Sequence, residues 1–254
     1  MEDLYAIIPA AGLSTRMGST TSGQARKQMI ELAGAPILIH TLRRFDGCPG
    51  LRLMLVPVRE EDHAAVAARI AAEHFTTPVR VLEGGKARQD SVRNAVELLA
   101  AELGPEGDEA TIIVHDAVRP FLEAAVLQAA LAAARRFTAV IVGVPAVDTV
   151  KQVERVGAEA NRVAATLPRE RIVLAQTPQI FRLGLLRRGF AQAHTDGFYA
   201  TDEAALIEHL GEEVYVVPGS PRNWKITTPA DLPLAGMVLA AEAALNPPPP
   251  APRS

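Results

Sequence analysis

Hydrophobic positions along the chain fall into two alternating patterns. Short unbroken runs of aliphatic and β-branched residues occur at 4–9, 51–56, 79–82, 111–115, 139–144 and 214–217. They are too short for helices by themselves, and continuous apolar character is what a strand buried on both faces requires. Between them, Ala-, Leu- and Arg-rich stretches at 37–45, 60–74, 91–103 and 123–135 carry apolar residues at helical spacing. The alternation predicts an α/β fold: a mainly parallel sheet with helices on both faces.

One segment departs from this rhythm. From 147 to about 169 polar and apolar residues alternate through Thr149, Lys151 and Val153, followed by Gly157, Asn161 and Pro168. That pattern predicts an extended arm or hairpin, a feature that often serves as an interface or a lid. Helical spacing resumes at 183–193, 202–210 and 229–245. Residues 1–245 are read as a single domain. Residues 246–254 form a proline-rich tail expected to be disordered. No repeat of the length that builds solenoids is visible.

Composition narrows the function classes. A chain of 254 residues can bury a sizeable core without staples. Its net charge of -3 gives no global reason to bind nucleic acid or an anionic membrane. The single cysteine, Cys48, excludes an internal disulfide and a cysteine-based zinc site. No signal peptide pattern opens the chain, and no stretch reaches the roughly 18 apolar residues of a membrane span, so a cytoplasmic protein is expected. Arginine is the default cation: only Lys27, Lys86, Lys151 and Lys225 are lysines.

In open α/β sheets ligands bind beyond the carboxyl ends of the strands. Four segments there carry chemistry. After the first strand comes Pro9-Ala10-Ala11-Gly12-Leu13-Ser14-Thr15-Arg16-Met17-Gly18, and then Lys27-Gln28. Small residues let the backbone approach a ligand and turn N–H groups can cradle phosphate oxygens, with Arg16 and Lys27 adding charge. The segment is neither a P-loop nor a G-x-G-x-x-G fingerprint, and a plain loop with two cations accounts for it equally well. The second segment, Gly84-Gly85-Lys86-Ala87-Arg88-Gln89-Asp90-Ser91, reads first as a turn and helix cap. The alternative has its backbone and Ser91 reading the edge of a base.

The third is His115-Asp116-Ala117-Val118-Arg119-Pro120. A carboxylate at a strand end can hold Mg²⁺, which keeps several waters and needs only one or two protein oxygens. An Asp116–Arg119 ion pair fixing the loop is compatible with that, and His115 is read as structural. The fourth, Arg222-Asn223-Trp224-Lys225-Ile226-Thr227-Thr228-Pro229, puts Lys225 at the ligand edge. Thr228 and Pro229 are read as the cap and first residue of the last helix, and Trp224 as packing.

Arg16, Lys27, Arg119 and Lys225 with one carboxylate suit a nucleoside triphosphate, Mg²⁺ and a phosphorylated acceptor. A phosphate monoester is mostly dianionic at neutral pH and needs no general base to act as nucleophile. The protein must align it, neutralise repulsion and stabilise the charge that develops on departing pyrophosphate. No Ser/His/Asp or Cys/His arrangement is needed, and none is evident.

The motifs PAAGLSTRMG with KQ, GGKARQDSVRNA, VHDAVRPF, VPAVDTVK, TPQIF, TDEA and NWKITTPADL run in order over about residues 5–235. In this order they resemble the 2-C-methyl-D-erythritol 4-phosphate cytidylyltransferase family. The resemblance implies a Rossmann-like nucleotidyltransferase sheet with an extended β-arm, and transfer of CMP from CTP. It places Ala10, Ala11 and Gly12 along the triphosphate and Arg16 and Lys27 on the phosphates, Lys27 also stabilising the pentavalent phosphorus. Gly85, Lys86 and Ser91 would surround cytosine, Asp116 would bind Mg²⁺ or another divalent cation, and Lys225 would contact the α-phosphate. The arm would exchange with a second subunit in a homodimer, so that Thr149, Arg169 and Arg119 hold a polyol phosphate across the interface. The chain departs from the family pattern at Arg26, Trp224 and Arg222. Ribitol-5-phosphate cytidylyltransferases share several of these segments and are the nearest alternative; a non-catalytic nucleotide-binding scaffold is the more distant one.

Overall fold

The structure, a computed structural model, describes residues 3–12, 19–20, 23–24, 26–157 and 160–245. The proline-rich tail lies outside the described residues. The central sheet is built from β1 (Leu4–Ile7), β2 (Leu51–Val58), β3 (Val79–Glu83), β4 (Thr111–Val114), β5 (Ala139–Pro145), β8 (Val173–Arg182) and β9 (Tyr215–Pro218). Two further strands, β6 (Val150–Arg155) and β7 (Asn161–Leu167), pair with each other as an antiparallel hairpin within the predicted 147–169 segment. The sheet order is β9-β5-β8-β4-β1-β2-β3. Every neighbouring pair is parallel except the two made by β8, which runs antiparallel to both β4 and β5.

Strand β8 is the element missing from the hydrophobic pattern, although it sits in the middle of the sheet. Its centre reads Gln176-Thr177-Pro178-Gln179, a polar break with a register shift in its pairing to β5. Those side chains are nevertheless buried and bonded, as described below, so their polarity marks the site rather than a loop.

Strand alternation sends side chains into two cores. Leu4, Ala6 and Ile8 face α1 (Ile37–Arg43), α2 (His63–Ala71) and α4 (Ala124–Ala134). Tyr5 and Ile7 face α3 (Arg88–Leu103), α5 (Leu183–Asp196) and α6 (Glu203–His209). In α3 the buried residues Val92, Ala95, Val96 and Leu99 fall at i, i+3, i+4 and i+7, the stripe that a helix lays on a sheet. Helix α5 ends at Gly197, whose φ of 63° is the left-handed cap geometry that glycine accepts most readily. Helix α7 (Asp231–Leu245) packs through Ala235 and Leu239 on Ile37, Phe121 and Ile226, with Trp224 tilted against Phe121 at 4.8 Å. The cap expected of Thr228 is made differently: Asp231 turns its carboxylate back to accept the N–H groups of Thr227 and Thr228 at 2.7 and 2.8 Å.

Candidate active site

The parallel strands all end on one edge, and the four candidate segments meet there. The chain beyond β1 continues to pair with β2, Ile8 and Ala10 donating to Leu55 O and Pro57 O at 2.8 Å. The carbonyl of Ala10 accepts from Gln28 Nε2 at 2.5 Å and that of Ala11 from Arg59 Nε at 3.2 Å. The Ala10–Gly12 backbone is thus pinned from two sides. Buried Gln28 fixes the turn Lys27–Met29 against this loop. Arg26 anchors the same turn to Asp62 and, at 3.2 Å, to Glu61. Arg16 lies outside the described residues.

The glycine pair is explained by close approach. A Cβ on Gly84 would stand 2.7 Å from Ala11 Cβ and 2.9 Å from Ser91 Oγ, and one on Gly85 would stand 2.2 Å from Asp90 Cβ. The two loops therefore touch through their smallest residues. Ser91 is fully buried: its hydroxyl accepts from Gly85 N–H at 3.0 Å and donates to Ala87 O at 2.9 Å. Asp90 accepts from Ala87 N–H at 3.1 Å. These bonds shape the loop, while Lys86 stands exposed on it.

Asp116 is the hub. Its Oδ2 meets Lys225 Nζ at 3.0 Å and Arg119 Nε at 3.2 Å, and its Oδ1 meets Arg88 Nε at 3.3 Å. Burial on its own would raise the pKa of this carboxyl; the charges of Arg88, Lys225 and Arg119 outweigh burial and hold it well below the usual carboxylate range. Arg119 is fixed in turn by Asn223 O at 2.8 Å. Arg88 forks onto Glu203 with contacts of 2.7 and 2.9 Å, and Glu203 is 1% exposed.

Behind Asp116 a neutral network sets the loop. Thr177 Oγ1 accepts the Asp116 N–H at 3.1 Å and donates to His115 Nδ1 at 3.0 Å. His115 Nε2 then donates to Arg119 O at 3.1 Å. Burial pushes the His115 pKa down to about 4, so the ring is neutral at pH 7, as this bonding pattern requires. Buried Asn223 donates to Thr177 O at 2.7 Å and so holds the segment leading to Lys225 against β8. Next to it, the carboxyl of Asp231 is kept low by hydrogen bonds from Thr228 and Thr227, with the charge of Lys27 adding to them. The charge of Lys27 is thus felt at the start of the helix that follows Lys225.

The hairpin leaves the same edge from the end of β5. Thr149 and Arg169 are exposed at its base, Arg169 Nη1 donating to Val147 O at 2.8 Å. Lys151 bonds across the hairpin to Thr166 Oγ1 at 2.6 Å. Arg222 is directed to the C-terminal helix instead, 3.5 Å from Glu242. A groove of about 1000 Å³ lies at the opposite edge of the sheet and contains none of these residues. Its Arg187 and Arg188 pair with Asp108 and Glu212.

The described part of the site therefore unites Lys27, Arg119, Lys225, Asp116 and the two glycine- and alanine-rich loops. Arg88, Glu203 and Asn223 are additions that the spacing of motifs did not single out. Arg88 and Glu203 lie within GGKARQDSVRNA and TDEA, but nothing in the sequence pairs two residues 115 positions apart. Among the described residues, no group of three or more His, Cys, Asp or Glu gathers as a metal cluster. Cations around one carboxylate suit a polyanionic ligand with a metal that draws its other ligands from that ligand.

Comparison with known proteins agrees with this geometry. The profile of the family described as "IspD: 2-C-methyl-D-erythritol 4-phosphate cytidylyltransferase" matches residues 4–241. The 2-C-methyl-D-erythritol 4-phosphate cytidylyltransferase of Acidobacterium capsulatum is 50% identical, over 93% of this chain and 97% of its own. That of Solibacter usitatus is 49% identical, over 94% and 96%. The crystal structure of the Francisella tularensis protein of the same name superposes with a TM-score of 0.73 at 32% identity, covering 93% of this chain and 99% of that one. The chain belongs to the 2-C-methyl-D-erythritol 4-phosphate cytidylyltransferase family.

Proposed function

We propose that the chain transfers CMP from CTP to 2-C-methyl-D-erythritol 4-phosphate and releases pyrophosphate. The observation that carries this reading is a buried carboxylate, Asp116, ringed by Arg88, Arg119 and Lys225 beside a glycine loop at the ligand edge of the sheet. An oxygen of the acceptor phosphate attacks the α-phosphorus of CTP; the bond from that phosphorus to the β-phosphate oxygen breaks, and pyrophosphate leaves with the electron pair. No proton need be removed, because the monoester is already anionic. The catalytic work is alignment and charge stabilisation.

Ala11 and Gly12 border the triphosphate, with Ala10 holding the loop to the sheet. Arg16 and Lys27 neutralise its phosphates, and Lys27 and Lys225 stabilise charge at the α-phosphorus. Gly85 and Lys86 read cytosine through their backbone, and Ser91 fixes their conformation from behind. Arg119 contacts the acceptor, together with Thr149 and Arg169 reaching in from the arm of a second subunit in a homodimer. Asp116 is held in its ionised form by its cationic neighbours, stands at the edge and, among the described residues, is the only carboxylate in contact with Lys225, so it would hold one Mg²⁺ whose remaining ligands would be water and phosphate oxygens. That ion would withdraw charge from the α- and leaving phosphates. The substrates are water-soluble phosphates and none of the described helices is long and apolar enough to cross a membrane, which supports a place in the cytoplasm.

The test combines four nucleoside triphosphates with two acceptors, methylerythritol phosphate and ribitol 5-phosphate, and measures pyrophosphate. Release is expected with CTP and methylerythritol phosphate alone. Equal or faster turnover of ribitol phosphate would replace the acceptor, and CTP binding without turnover of either would make the protein a scaffold.

A further inference from the structure

We infer that Glu203 and Arg88 are positioning residues that keep Asp116 available to a divalent cation, Glu203 acting by balancing the charge of Arg88. The inference rests on the reading of Asp116 as the metal-binding carboxylate. Three cations contact Asp116, and three full charges around one carboxylate would repel a metal ion. Only one of the three, Arg88, has a second carboxylate as partner among the contacts described above. Its Nη1 and Nη2 fork onto Glu203 Oε1 and Oε2 at 2.7 and 2.9 Å, the parallel two-bond geometry in which guanidinium and carboxylate are matched. Nε reaches Asp116 at the longer distance of 3.3 Å. Arg88 therefore orients Asp116 with one donor while Glu203 takes up its charge.

The placement of the pair adds a second consequence. Arg88 is the first residue of α3, directly after the glycine loop, and Glu203 is the first residue of α6. Asp202 caps α6 by accepting from Ala205 N–H at 3.1 Å, and Gln179 of β8 holds Asp202 at 2.7 Å. Glu203 is thus carried by a fixed helix start. One guanidinium ties the base loop, α6 and the metal carboxylate together.

The experiment measures CTP affinity by titration calorimetry in Mg²⁺ and in EDTA; the ratio of the two dissociation constants reports the coupling between metal and nucleotide. The wild type should bind more tightly with Mg²⁺, and Asp116→Asn should abolish the gain. If the wild type shows no gain, or Asp116→Asn keeps it, the reading of Asp116 fails and the inference with it. Given those controls, Glu203→Gln should shrink the Mg²⁺ gain by about tenfold or more, the scale on which residues supporting a metal ligand act. Its affinity in EDTA should stay equal or become tighter, because the site has gained net positive charge. Glu203→Asp, which keeps the charge, should restore part of the gain. Arg88→Lys, which keeps the charge but loses the fork, should also reduce it. A purely structural role predicts that Glu203→Gln weakens CTP in both conditions alike, and that result, or an unchanged Mg²⁺ gain, would overturn the inference. Should Glu203→Gln fail to fold, Glu203→Asp and Arg88→Lys decide it: an undiminished Mg²⁺ gain in Arg88→Lys would overturn it.

Discussion

Lys225 and Arg119 reach the same oxygen of Asp116 at similar distances, and among the described residues only Arg119 is held by a further side-chain contact, to Asn223 O. Lys225 is a compact point charge on a flexible stem with its side chain 41% exposed, which lets it leave Asp116 for a phosphate oxygen. Lys225→Ala and Lys27→Ala should each lower kcat about 100-fold or more, the cost of removing a preorganised charge contact. For Lys225→Ala the melting temperature should change little, because an exposed lysine contributes little to stability. A near-normal kcat in either variant would remove that residue from the chemistry. These two lysines were legible because the chain uses arginine elsewhere and because both lie in motifs at predicted strand ends. Arg88 was hidden by the same bias, as one arginine among many, and its partner Glu203 joins it only through folding.

At the level of elements, the close contact of the loops after β1 and β3 makes a prediction independent of charge. Gly84→Ala would drive a methyl group into Ala11, Ser91 Oγ and, at 3.1 Å, the Val58 carbonyl. The base loop must shift, and the KM for CTP should rise by about tenfold; an unchanged KM would mean that the loop does not border the nucleotide. The β6–β7 hairpin is the second case. Val153, Val156 and Val163 are all more than half exposed on it, and an isolated two-stranded hairpin is marginal in water. A second subunit covering the hairpin, as proposed, would account for both facts. Val153→Asp with Val163→Asp should yield a monomer by light scattering, and Arg169→Ala should raise KM for the acceptor more than for CTP. A fully active monomer would contradict the shared site.

The central parallel strands were readable because their unbroken apolar runs match their burial, and the hairpin because its polar–apolar alternation and turn residues match an antiparallel pairing. Strand β8 was not, because Gln176, Thr177 and Gln179 serve as hydrogen-bond partners for Ser220, His115, Asp116 and Asp202. A strand whose polar residues are satisfied by loops distant in sequence carries no hydrophobic signature of its own.

For the molecule as a whole, the buried neutral network makes stability depend on pH. His115 has its pKa lowered by burial from the ordinary 6.5 to about 4. Between those values the unfolded chain binds a proton that the folded chain does not. This contribution is complete above pH 6.5 and is lost as pH falls towards 4. His40, also lowered by burial, acts in the same direction. Unfolding free energy from urea titrations should drop by about 2 kcal/mol or more between pH 7 and pH 5. A flat profile would show that His115 is protonated in the fold. The same charge map joins fold to function: three cations converge on Asp116 where the parallel strands end, and phosphate chemistry follows from that concentration of charge.

The central claim is that an acceptor phosphate oxygen displaces pyrophosphate at the α-phosphorus of CTP. It is tested most directly by labelling the phosphate of methylerythritol phosphate with ¹⁸O and locating the label by ³¹P NMR. The account predicts ¹⁸O in the cytidine diphosphate product, including its bridging position, and none in pyrophosphate. Label appearing in pyrophosphate, or product forming without it at the bridge, would contradict the account.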